Sequence, residues 1–269
     1  MSFTRWSSWP GLLCPILAVP AAAAAEADPG PICTDRPAKA NAVCTVPAGT
    51  FQLETNTIGW SLTRAAGAQT KVLTIGSSFV KLGLTNRSDL EVGFTPYVES
   101  VAKQGAARER LSGLGDVVVR YKQRLTGEDA KVQAALIPFV KLPTAKSGIG
   151  NDKVEVGLAV PISFALAGPV TMTVGPELDL LADADGHGRH AALINLVNVA
   201  VPVVRRVTLA AELWSNFNLD PAGRVQQASL DGSVAYAISG DLQLDAGINI
   251  GLTPDTSDIE LYSGLSARF

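Results

Sequence analysis

The sequence predicts an all-β chain, a transmembrane antiparallel up-and-down β-barrel of about 12 strands. Three observations predict it. Apolar and polar residues alternate over long stretches, which is the period of a strand with one greasy and one polar face. Hydrophobic residues make up 47% of the chain and charged residues only 17%, against roughly 25% charged in ordinary soluble domains. Past the N-terminus, no run of about 20 apolar residues offers a spanning helix.

Strands are expected near 50–63, 70–84, 89–101, 115–125, 131–142, 153–166, 170–182, 190–203, 206–219, 224–238, 241–252 and 259–269. They are long beside the globular mode of about 5–6 residues and suit tilted membrane strands, which need about 9–11. The last, IELYSGLSARF, places Ile259, Leu261, Ser263, Leu265, Ala267 and Phe269 on one face and Glu260, Tyr262, Gly264, Ser266 and Arg268 on the other. The stretch DLQLDAGINIGL opposes Leu242, Leu244, Ala246, Ile248 and Ile250 to Asp241, Gln243, Asp245, Gly247 and Asn249. In KVEVGLAVPISF, Val154, Val156, Leu158, Val160, Ile162 and Phe164 oppose Lys153 and Glu155.

The connections sort by length. Those after even-numbered strands are tight (85–88, 126–130, 167–169, 204–206, 239–241), and those after odd-numbered strands run longer, above all 102–115 and 143–152. Short turns at one end and longer loops at the other match an outer-membrane barrel with both termini on the periplasmic side. Phe164, Tyr236 and Phe269 on greasy faces near the periplasmic ends, with Phe217 near an outer end, sketch a thin aromatic girdle.

If the polar faces look inward, the lumen carries Glu91, Glu99, Glu155, Glu177, Asp179, Glu212, Asp231, Asp245 and Glu260, with Arg120, Lys122, Arg124, Lys153 and Arg268 as bases. A dry sandwich core would penalise each unpaired carboxylate by several kcal/mol, whereas a watery lumen tolerates them. Arg120, Lys122 and Arg124 alternate on one face. They read either as a positive stripe selecting anions or as salt-bridge partners of the carboxylates, with the second favoured.

The N-terminus has Arg5, an apolar stretch from Gly11 to Ala25 and Ala23-Ala24-Ala25 before Glu26, the pattern of a secretory signal peptide. The expected organisation is a signal peptide over 1–25, a periplasmic N-terminal segment over 26–49 and the barrel over 50–269, which places the protein in a bacterial outer membrane. The formal net charge is −3, and loss of Arg5 makes it more acidic, so nucleic acid is no expected partner. Cys14 leaves with the leader; Leu13 before it argues against a lipoprotein cysteine. Cys33 and Cys44 remain, an even count in an exported chain, and read as a disulfide. The rival, a metal site, lacks a nearby His or further Cys.

Catalytic chemistry finds little support. The two histidines, His187 and His190, fall in DADGHGRH and read as a solvated loop. DADG echoes part of a calcium loop without the downstream bidentate Glu. There is no G-x-S-x-G, phosphate loop or C-x-x-C, so no enzyme, cofactor or metal is expected.

The segments TDRPAKANAVCTVPAGTFQLET, KLGLTNRSDLEVGFTPYV, GLGDVVVRYKQRL, IPFVKLPT, SGDLQLDAGINIGLTPD and the terminal LSARF together resemble, in that order, the outer-membrane family named for the phenol meta-degradation pathway, often called simply transporters. The resemblance spans nearly all of the mature chain. It implies an outer-membrane barrel that passes small molecules, aromatic or hydrophobic ones among them, with no catalytic residues to carry over. The terminal Phe269 resembles the address that outer-membrane assembly machinery recognises.

The expected function is therefore a passive channel or transporter, with the lipid bilayer, the assembly machinery and a small solute as partners. The alternatives are a structural or binding barrel without transport and a membrane-embedded hydrolase.

Overall fold

The computed structural model describes residues 31–269; the signal-peptide expectation for residues 1–25 lies outside them. Among the described residues the chain forms sixteen strands in one antiparallel sheet. These are β1 (Phe51–Ala65), β2 (Ala68–Thr85), β3 (Ser88–Phe94), β4 (Tyr97–Gln104), β5 (Ala107–Gly113), β6 (Val117–Arg124), β7 (Val132–Leu142) and β8 (Glu155–Ala159). They continue as β9 (Ile162–Ala167), β10 (Val170–Val174), β11 (Glu177–Ala182), β12 (Arg189–Val204), β13 (Val207–Asn218), β14 (Val225–Ala237), β15 (Leu242–Gly251) and β16 (Ile259–Arg268).

Four staves are broken in two: β3 with β4, β5 with β6, β8 with β9, and β10 with β11. Proline supplies three of the breaks, Pro96, Pro161 and Pro176, because it has no N–H to give the ladder. The backbone bridges the gaps: Gly115 N–H donates to Thr95 O at 2.9 Å and Val160 N–H to Pro176 O at 2.9 Å. Counting each broken pair once gives a closed 12-strand barrel, sealed where β1 pairs β16. Closure leaves no unpaired sheet edge for lipid to meet.

The outward face is apolar in a continuous band, including Leu90, Val92, Val156, Leu178, Leu193, Leu213, Leu230, Leu244, Ile250 and Leu261. Phe51, Tyr236 and Phe269 sit on this face at the short-turn end and Phe217 near the other.

Two loop expectations change. The stretch 102–115 is not a long loop: β4 and β5 zip from Gln104↔Ala107 to Val98↔Gly113, leaving a two-residue turn. The β1–β2 connection is likewise Ala66-Gly67, both at positive φ (48° and 77°), the backbone of a tight hairpin turn whose twist matches its strands. The connection 143–154 remains a true loop.

The break at Thr95-Pro96 has a further effect. Phe94 and Tyr97 are three residues apart yet both face outward: Tyr97 pairs with the exposed Ile75. Alternation slips by one, so Glu99 faces outward with Leu73 rather than into the lumen. There it accepts hydrogen bonds from Tyr97 Oη and the Arg110 guanidinium. Lys153 is also not luminal; it lies exposed in the loop before β8.

At the seam, Phe269 N–H donates to Phe51 O at 2.8 Å and Phe51 N–H to Phe269 O at 3.2 Å. Deleting Phe269 removes both bonds. The expected outcome, checked by thermal melting of detergent-refolded protein, is a barrel that still forms with a lower midpoint, a loss of about 1–3 kcal/mol.

Candidate functional site

The site is the bore and the chain segment inside it. Residues 31–49 do not hang below the barrel as a separate periplasmic piece. They enter at the short-turn end, where Ile32 N–H donates to Gly240 O at 2.7 Å. The segment reaches inward to Lys39 and returns to Val46, whose N–H donates to the Asp89 carboxylate at 2.8 Å. Gly49 N–H then bonds Gly83 O at 2.9 Å before β1 begins. A Cβ on Gly83 would lie 1.9 Å from Pro47 O, so glycine is required where the two backbones touch. Cys33 and Cys44 are bonded to each other and fasten the base of this inserted loop. Closing a loop of this size is worth about 3 kcal/mol in the chain-entropy account.

Inward residues of the wall separate by sign. On one side, cross-strand neighbours place Lys81 (β2) opposite Glu91 (β3), and Glu91 opposite Arg120 (β6). Lys122 joins them from the same strand as Arg120. Glu91 lies 2.7 Å from Arg120, 3.4 Å from Lys122 and 3.6 Å from Lys81, and Lys81 lies 2.6 Å from Glu54. On the other side stand Glu212, Asp231 and Asp245 from β13, β14 and β15. Glu212 and Asp231 are directly opposed, an arrangement that like charges disfavour.

The inserted loop answers both sides. Asp35 sits 2.6 Å from Lys81, 2.7 Å from Lys122 and 3.1 Å from Arg120. Arg36 forks onto Asp245 with contacts of 3.1 and 2.5 Å. Lys39 donates to Asp231 at 2.7 Å and Ser229 at 2.8 Å, and stacks over the Trp214 ring at 4.6 Å. The Glu212 carboxylate accepts backbone N–H bonds from Lys39 and Ala40 at 3.1 and 3.0 Å. Burial alone would raise the Asp35 carboxyl, but Lys122, Lys81 and Arg120 together hold it well below its ordinary value.

The basic run is thus engaged in ion pairs rather than left as an open stripe. Arg124 sits apart at the short-turn mouth, paired with Glu128 at 2.8 Å. Glu155 pairs with Lys141 at 2.9 Å near the opposite mouth. Glu177 and Asp179 face the bore and each other, and Glu260 takes an amide bond from Asn249 at 2.9 Å. Arg268 donates to Asp241 at 2.8 Å.

Sequence reading missed Asp35, Arg36, Lys39, Glu54, Lys81 and Asp89. The signal was present as D-R-P-A-K ahead of the first strand, an alternation of charge in a segment with no strand periodicity. It also missed that part of the inner wall is apolar: Ile137, Ala159, Ile194 and Leu196 face inward and are buried.

Among the spaces around the loop, a small one of about 120 Å³ lies on the basic side between Asn41, Phe79, Arg120, Ile137 and Glu177, and two are larger. One of about 300 Å³ lies between the loop and small residues of β10 and β12–β15, including Thr173, Asn198, Ala210, Ser233 and Gln243. A wider space of about 1110 Å³ forms the short-turn mouth, bordered by Ile32, the disulfide, Arg124 and Phe269.

Two outcomes test this arrangement. Arg36→Met leaves Asp245 charged and buried, and is expected to lower stability to chemical unfolding by about 3–5 kcal/mol. Adding Asp245→Asn should recover most of that loss. Because the Asp35 carboxyl is depressed, its contribution is complete above the ordinary carboxylate range, about 4, and disappears as pH falls through its own lower value. Protection of residues 31–49 from protease should therefore hold from pH 7 to about 4 and fail only in stronger acid. Asp35→Asn should expose the segment at neutral pH.

The fold has known counterparts. An outer membrane channel of the COG4313 group from Pseudomonas putida F1 matches with a TM-score of 0.66 at 15% identity, over 84% of this chain and 98% of that one. The beta domain of the Bordetella autotransporter BrkA matches at 0.51 and 14% identity, over 82% and 100%. The transport unit of the autotransporter AIDA-I from Escherichia coli matches at 0.50 and 11%, over 82% and 90%. No curated protein matches the chain. A family described as "Putative MetA-pathway of phenol degradation" matches residues 34–269, from the segment ahead of the inserted Asp35 through the last strand, and the chain belongs to that family.

Proposed function

We propose that the protein is a passive channel of the outer membrane, conducting small solutes between the inserted loop and the wall of β10 and β12–β15. The observation that carries this reading is the space of about 300 Å³ beside the loop, bordered by small polar and alanine side chains and sharing Ile32, Cys33 and Cys44 with the open mouth below. Small inward side chains here leave more room than the opposite side, where the space beside Phe79 and Arg120 is only about 120 Å³. Membership of the family and the fold shared with an outer membrane channel support it. Selectivity in such a path comes from its width and the charge lining it. The charged side chains bordering this space, Asp35 and Arg36, are both held in ion pairs, so the path presents mainly neutral polar and small apolar groups to a solute. The family's description points to phenolic solutes as the class to try first. Phe269 serves as the assembly address: its deletion lowers barrel yield in cells more than refolding in detergent, and equal effects would remove that role.

The test is single-channel conductance of the full chain in a planar bilayer. Small discrete steps with a reversal potential near zero, the mark of weak ion selectivity, are expected. Ser233→Trp, which points a large ring into the space beside Ala210, should cut conductance severalfold, whereas Leu230→Trp on the lipid face should not. Silence from a folded barrel would support the second reading, a structural or binding barrel, which the filled bore favours.

A further inference from the structure

Away from the inserted loop, at the end of the barrel that carries the longer loops, three potential ligands converge. His190 is not part of a solvated loop. It is the second residue of β12, on its inward face, and is 7% exposed; His187 alone is exposed. Its Nδ1 lies 2.8 Å from the Asp183 carboxylate, in the β11–β12 connection, and 3.8 Å from Asp220, in the β13–β14 connection. One ligand atom from each of the three falls within 4.8 Å of the others. The side chains of His190, Asp183 and Asp220 are only 5%, 12% and 11% exposed.

The carboxylates are oriented before any ion arrives. Asp220 accepts N–H bonds from Ala184 at 2.9 Å and Ala222 at 2.8 Å, which ties the two connections together. Gly188 has room for Asp183 only because it lacks a Cβ, which would stand 2.5 Å from Asp183 Oδ2. His190 Nε2 is buried with no hydrogen-bond partner, so the edge of the ring facing the carboxylates is the edge that is held. Two carboxylates then face one imidazole. Its Nδ1–H can serve one acceptor, and a protonated ring would bring one positive charge against two negative.

We propose that Asp183, His190 and Asp220 form a binding site for a divalent transition-metal cation of the zinc class, clamping the two connections over the barrel mouth. One imidazole nitrogen and two carboxylate oxygens are a donor set that zinc accepts, with water in the fourth position. Calcium prefers six to eight oxygens and would find too few. The site is independent of conduction through the bore.

The test is isothermal titration of the untagged full-length chain, metal-stripped in detergent, with zinc alone. One ion per chain is expected, with no comparable calcium binding. His190→Ala and Asp220→Asn should each weaken zinc affinity at least tenfold while heat-modifiable migration shows the barrel intact. His187→Ala should leave affinity unchanged. Absence of stoichiometric zinc binding, unchanged affinity in the folded Asp220→Asn protein, or loss through His187→Ala in place of His190→Ala would each overturn the assignment.

Discussion

The structure depends on charge matching across the bore. A barrel of this width has an interior too large to be empty of consequence and too small to be a free pore. Its wall therefore carries a transverse separation of sign, with Lys81, Arg120 and Lys122 facing Glu212, Asp231 and Asp245. Neither side is comfortable alone: buried charges are costly unless paired, and the acids on β13 and β14 oppose each other directly. The inserted loop carries Asp35 toward the bases and Arg36 and Lys39 toward the acids, so five residues of chain neutralise both. The disulfide below fastens the base of that loop, and the larger of the two spaces flanking the loop lies on the β12–β15 side.

Not all of the interior is polar. A belt of inward neighbours runs from Ile137 through Ala159 and Glu177 to Ile194, so Glu177 stands between apolar residues. Small residues on one wall and aromatic or aliphatic ones on another make the bore asymmetric in both charge and greasiness. A solute beside the loop would meet Asn198, Ser233 and Gln243 on one side and backbone of the loop on the other. The mouth carrying the longer loops is organised differently, by hydrogen bonds that backbone N–H groups donate to carboxylates, and it is there that His190 is buried between connections.

Much of this was legible in the chain. Period-two alternation placed twelve staves and assigned Glu91, Glu155, Glu177, Asp179, Glu212, Asp245 and Glu260 to the inner face, because in a strand the face of a residue follows from counting. The count failed where the ladder did: at Thr95-Pro96 one step was absorbed without pairing, and Tyr97 and Glu99 turned outward. Length alone also misjudged 102–115, since a polar stretch can zip into a hairpin when a neighbouring stave is long enough to pair with it.

The sequence by itself determined the alternating faces, the apolar exterior and the even set of staves, because those are local consequences of backbone geometry and side-chain polarity. The tertiary structure alone decided where residues 31–49 go. Asp35 finds Lys122 across 87 positions and Arg36 finds Asp245 across 209, and a period read along the chain contains no information about partners brought together by closure. The same holds for Asp183, His190 and Asp220, which become neighbours only because adjacent staves end at one rim.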